Sequence, residues 1–93
     1  MNPISKKIII FDDSPVWLKT LRLWCNHYGF KDITCLSEEI QILDICQQQY
    51  LEIDLIIIDF YNGKNNTTEL VKKIRTINPN FLIIVVSADF VND

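Results

Sequence analysis

A chain of 93 residues, 48% of them hydrophobic, can fill one core but not two. Its formal charge of -3 argues against a direct grip on nucleic acid, which requires a basic face. The longest apolar run, residues 81–86, is far too short to span a bilayer.

In chain order, residues 7–11 (KIIIF) read as a strand buried on both faces, because the run is continuously aliphatic and not alternating. Only four apolar residues follow Lys6-Lys7 before Asp12, too few for a signal-peptide core, so a cytoplasmic protein is expected. Ser14 then caps a helix, with Pro15 at its first position. Trp17, Leu18, Leu21, Trp24, Cys25 and Tyr28 form its apolar stripe, and Gly29 ends it.

Residues 32–36 (DITCL) are more polar and read as an edge strand. A second helix is expected from a Ser37 cap, with Glu38 and Glu39 in its first turn and Ile40, Leu43, Cys46 and Tyr50 inward. Residues 54–58 (DLIII) are another buried strand. A third helix covers about residues 68–77, with Leu70, Val71, Ile74 and Ile77 inward, and Asn78-Pro79 stops it. Residues 81–86 (FLIIVV) form the last strand, another continuous run that reads as buried on both faces. Cys25, Cys35 and Cys46 form no C-x-x-C, and with His27 as the one histidine no zinc set exists. They read as small hydrophobes in a reducing compartment.

Strand and helix alternate throughout, which implies an α/β sandwich on a parallel sheet. Ligands of such sheets bind at the carboxyl ends of the strands. There the sequence places Asp12-Asp13 after the first strand, Asp59 after the third and Ser87-Ala88 after the fourth. Clustered carboxylates repel one another, and a divalent cation relieves that repulsion. All the donors are oxygens, which selects Mg2+ over zinc. A carboxylate nucleophile, a cation and a hydroxyl are the parts of a phosphoryl-transfer site.

These segments, in this order, resemble the receiver domain of bacterial response regulators, of the chemotaxis-regulator kind. Residues 8–14 (IIIFDDS) are similar to the family's strand and acidic pair. Residues 53–59 (IDLIIID) resemble the segment with the phosphorylated aspartate, residues 69–75 (ELVKKIR) the helix after it, and residues 85–88 (VVSA) the strand that ends in a hydroxyl and an alanine. The resemblance implies a flavodoxin-like three-layer sandwich with strand order 2-1-3-4. It implies that Asp59 accepts a phosphoryl group from a histidine kinase or phosphotransfer protein. Asp13, Asp12, Asp59 and the backbone carbonyl of Tyr61 are then the Mg2+ ligands. Ser87 hydrogen-bonds the phosphoryl group and Ala88 leaves room for it. Such a domain is a signalling switch and not an enzyme.

Two departures carry expectations of their own. Gly63 and Thr67 stand where the family usually has proline and glycine, which implies a slacker loop after Asp59. Residues 1–93 also stop before the family's fifth strand, the lysine at its end and the last helices. The chain is thus expected to be a receiver truncated after its fourth strand, whose exposed edge pairs with a second copy in a homodimer. Lys64 reads as a solvated loop residue. The leading rival is a degenerate receiver that takes no phosphate and acts as an interaction module. An aspartate-nucleophile phosphatase fits less well, because its two aspartates lie one residue apart whereas Asp12 and Asp13 are adjacent. A P-loop around Gly63-Lys64 lacks its first glycine and its Ser/Thr.

Overall fold

The computed structural model describes residues 5–62 and 65–87. The long elements are β1 (Lys7–Phe11), α1 (Pro15–His27), β2 (Asp32–Leu36), α2 (Glu39–Gln48), β3 (Leu55–Asp59), α3 (Thr68–Ile77) and β6 (Ile83–Val86). Two short strands, β4 (Tyr61–Asn62) and β5 (Asn65–Asn66), lie between β3 and α3.

The main sheet has the order β2-β1-β3-β6 and every pair in it is parallel. Counting the long strands alone, this is the 2-1-3-4 order that the family resemblance implies. Successive side chains along a strand point to opposite faces. Ile9, Phe11, Ile56 and Ile58 therefore meet Ile42 and Cys46 of α2 and Leu70 and Ile74 of α3. Ile8 and Ile10 meet Leu18, Leu21 and Cys25 of α1 on the other face. The layers are α1, sheet, and α2 with α3, and Lys73 on α3 reaches Glu39 on α2 at 3.0 Å. Among the described residues no helix is long and apolar enough to cross a membrane.

The ends of α1 follow local chemistry. The Ser14 hydroxyl accepts the Trp17 N–H at 3.4 Å with Pro15 behind it. Gly29 adopts φ 96°, and the Phe30 N–H then closes on the Cys25 carbonyl at 3.0 Å. A side-chain Cβ at Gly29 would meet nothing within 4 Å, so the glycine is needed for its backbone angle and not for space.

α2 starts one residue later than expected. Its cap is Glu38, because Gln41 lies three residues on and its side chain accepts the Glu38 N–H at 3.1 Å. A cap at Ser37 would put apolar Ile40 in that place. The buried face of the helix carries Ile42 and Cys46, with Ile40 70% exposed and Tyr50 beyond the helix. Burial pushes the Cys46 thiol up to about 11, so it stays protonated as the small hydrophobe the sequence suggests, while Cys25 and Cys35 are only half-buried.

Two other expectations need correction. Trp24 and Tyr28 do not face the core, because α1 has a single sheet face to cover and Leu18, Leu21 and Cys25 already fill it. β6 is not buried on both faces: Ile84 and Val85 are each 45% exposed, since β6 is the outer strand of the described sheet.

Candidate functional site

The carboxyl ends of β1, β3 and β6 meet at one edge of the sandwich. Asp12 follows β1 and is buried, with its N–H on the Leu36 carbonyl of β2 at 3.1 Å and its Oδ1 accepting the Ser14 N–H at 2.9 Å. Asp13 is exposed beside it and Asp59, the last residue of β3, is half-buried. Carboxylate oxygens of Asp12, Asp13 and Asp59 all lie within 4.8 Å of one another. A cavity of about 180 Å³ opens on this cluster. Asp12, Asp59 and Ser87 form its polar side, and Trp17, Leu21 and Trp24 of α1 its apolar side.

The electrostatics follow from that crowding. Burial raises the Asp12 carboxyl above its ordinary value. The Ser14 N–H opposes this, and the charges of Asp59 and Asp13 add to it. Burial also raises Asp59, against the backbone N–H of Tyr61, with the Asp13 charge adding and the Phe60 N–H opposing. Asp12 and Asp59, whose ionisation is opposed by burial and by the Asp13 charge, form with Asp13 an all-oxygen donor set that suits a hard divalent cation.

The segment after Asp59 is built as a small antiparallel ribbon, with Tyr61 opposite Asn66 and Asn62 opposite Asn65. The Thr67 N–H donates to the Phe60 carbonyl at 2.8 Å, so Phe60 and Thr67 are a hydrogen-bonded pair. Bonded and non-bonded pairs alternate along such a ribbon. The next pair, Tyr61 and Asn66, therefore directs its main-chain groups away from the ladder. This turns the Tyr61 N–H to the Asp59 carboxylate.

The structure thus gathers Asp12, Asp13 and Asp59 and sets Ser87 on the same cavity, with the Tyr61 backbone alongside. Lys64, Gly63 and Ala88 lie outside the described residues. The expectation of a slack loop rests partly on Gly63, outside the described residues, but the far end of the loop is fastened by Thr67. It is buried, and its hydroxyl donates to the main-chain carbonyls of Asp59 at 2.8 Å and Phe60 at 3.1 Å. Gly63-Lys64, a glycine-led pair between residues 62 and 65, was the sequence feature that could have shown the ribbon. Nothing local distinguishes Thr67.

The sequence matches the family model described as response regulator receiver domain over residues 8–92. The chain belongs to that family. A relative, the transcriptional regulatory protein ComA of Bacillus subtilis (strain 168), is 33% identical over 89 residues. That match takes in 95% of this chain and 42% of ComA, so the chain spans less than half of the relative's length. The receiver domain of the histidine kinase CKI1 from Arabidopsis thaliana, solved with Mg2+ and BeF3-, superposes with a TM-score of 0.84 at 16% identity, over 98% of this chain and 71% of that one. The MaeR response regulator bound to beryllium trifluoride gives 0.77 at 17% identity, over 92% and 70%. At such identities the likeness is one of fold, and it agrees with the three layers and strand order described above. The protein is a receiver domain of two-component signalling.

Proposed function

We propose that this receiver domain accepts a phosphoryl group on the Asp59 carboxylate, with Mg2+ held by Asp12, Asp13, Asp59 and the Tyr61 carbonyl. The observation that carries the reading is the set of three carboxylates within 4.8 Å, centred on the last residue of an inner strand. The donor is a phosphohistidine on a histidine kinase or phosphotransfer protein. An Asp59 oxygen attacks phosphorus, the P–N bond breaks, and the imidazole leaves and takes up a proton. Bound Mg2+ neutralises charge on the phosphoryl oxygens. Ser87 donates its hydroxyl to the transferred group. Beryllium trifluoride, present in both related structures, is a phosphoryl mimic, and its use there supports the same role for this site.

The reading extends to a cytoplasmic homodimer. β6 is the outer strand of the described sheet, with Leu82 61% and Val85 45% exposed. A second copy of β6 running antiparallel completes its ladder.

Incubation with acetyl phosphate and Mg2+ tests the site. One phosphoryl adduct, seen by intact mass and lost in Asp59→Asn, is expected. No adduct on the wild-type chain overturns the reading in favour of an interaction module.

A further inference from the structure

Asp12 and Thr67 are the buried polar side chains among the described residues, each 3% exposed, and both lie at the candidate site. Asp12 belongs to the acid cluster. Thr67 does not, and no part of the proposed chemistry uses it. A buried hydroxyl needs a partner, so the groups it was given bear on its purpose.

Thr67 is the N-cap residue of α3, yet its side chain makes no capping bond. A threonine in that place ordinarily turns its oxygen toward the first-turn N–H groups. Here Asn66 takes part of that task, its Oδ1 accepting the Thr68 N–H at 3.0 Å. The Thr67 hydroxyl points the other way, to the end of β3. Its one proton lies between two carbonyls, Asp59 at 2.8 Å and Phe60 at 3.1 Å.

Two successive peptide groups are pinned as a result. The Asp59–Phe60 peptide has its carbonyl on the Thr67 hydroxyl and its N–H on the Val86 carbonyl of β6 at 2.7 Å. The Phe60–Tyr61 peptide has its carbonyl on the Thr67 N–H at 2.8 Å, and its own N–H is turned to the Asp59 carboxylate. Those planes set where the Asp59 side chain leaves the backbone and where the Tyr61 N–H meets its carboxylate. The Thr67 carbonyl in turn accepts the Val71 N–H at 2.9 Å, which ties the assembly to the first turn of α3. A residue without a hydroxyl could keep the amide bond but would leave the Asp59 carbonyl without this partner.

We propose that Thr67 is a positioning residue, whose hydroxyl locks the Asp59–Phe60–Tyr61 backbone and so orients the phosphoacceptor carboxylate. The inference rests on the phosphoacceptor reading of Asp59 and assigns the orientation of that site to a side chain outside it.

The test compares Thr67→Val, which keeps shape and loses the hydroxyl, with Thr67→Ser, which keeps the hydroxyl. Mg2+ affinity is read from Trp17 fluorescence and the rate of Asp59 phosphorylation from acetyl phosphate, with thermal unfolding recorded alongside. Thr67→Val is expected to lose roughly tenfold in both, because small misplacements of reacting groups are costly. Thr67→Ser is expected to restore both to within about twofold. A purely structural role would instead move the unfolding temperature and leave Mg2+ affinity and rate in the folded protein unchanged. Should Thr67→Val not fold, the pair Thr67→Ser and Thr67→Ala decides, and equal affinities and rates in that pair overturn the proposal. A wild-type chain that takes phosphate and binds Mg2+ while Thr67→Val matches it sinks this inference alone. A wild-type chain that does neither sinks the Asp59 reading, and this one with it.

Discussion

The Phe60 N–H donates to the Val86 carbonyl across 2.7 Å. This bond carries the parallel β3–β6 ladder one residue past Asp59, and Ser87, next along the chain, is thereby held on the cavity that Asp59 lines. Because Ser87 is exposed, Ser87→Ala should change stability by no more than about 0.5 kcal/mol. It should nevertheless cut the rise in unfolding temperature that Mg2+ with beryllium fluoride gives the wild type. A full rise in the variant removes Ser87 from the site.

Asp59 supplies a pH prediction. Its carboxyl is raised above the ordinary 3.8, first by burial and further by the Asp13 charge, against the Tyr61 N–H. The folded chain therefore holds this proton more tightly than the unfolded chain does. Its ionisation costs stability as pH rises from 3.8 through the raised value. Asp59→Asn removes that cost. In metal-free buffer at neutral pH the variant should be the more stable by ~1 kcal/mol, solvent screening at a half-buried site keeping the gain small. The advantage should fade as pH falls below 3.8. Urea unfolding of both proteins across that range is the measurement, and an equal or lower stability for Asp59→Asn at neutral pH contradicts it.

Metal binding has an optical reporter, since Trp17 lines the cavity that Asp12 and Asp59 also line. Mg2+ should alter Trp17 emission saturably, and at ten times Kd it should add ~1.4 kcal/mol to stability. Asp13→Asn should weaken both effects strongly while leaving the fold intact, as Asp13 is exposed. An unchanged titration in that variant places the metal elsewhere.

The edge of β6 can be tested by proline. The Ile56 N–H bonds the Leu82 carbonyl and the Phe60 N–H bonds that of Val86, so the even-numbered residues of this strand face β3. Ile83 and Val85 then present their main-chain groups outward, since neighbours along a strand alternate. Val85→Pro removes an outward donor and should convert a dimer to a monomer in sedimentation velocity, whereas a proline at Ile84 would break the β3–β6 ladder itself. A wild-type chain that sediments as a monomer at micromolar concentration refutes the dimer.

What the sequence determined by itself is the part governed by neighbours in the chain. The aliphatic run 7–11, the Ser14-Pro15 start and the Gly29 stop each encode their element locally, the alternation of elements led to a parallel α/β sandwich, and the family resemblance supplied its 2-1-3-4 order. Because a parallel sheet brings its strand ends together, the positions of Asp12, Asp13, Asp59 and Ser87 at those ends were enough to foretell one cluster. Tertiary structure decided what depends on which polar group is nearer in space. Gln41 outcompeted the Ser37 cap by reaching back to Glu38, and packing against the sheet and α3 buried Ile42 and left Ile40 exposed. Eight positions separate Thr67 from Asp59, and this end of the loop is fastened because the β4–β5 ribbon lays the Thr67 hydroxyl under the strand end. A buried hydroxyl must bond to whatever the fold sets beside it, and that neighbour is chosen by the path of the backbone and not by residue type.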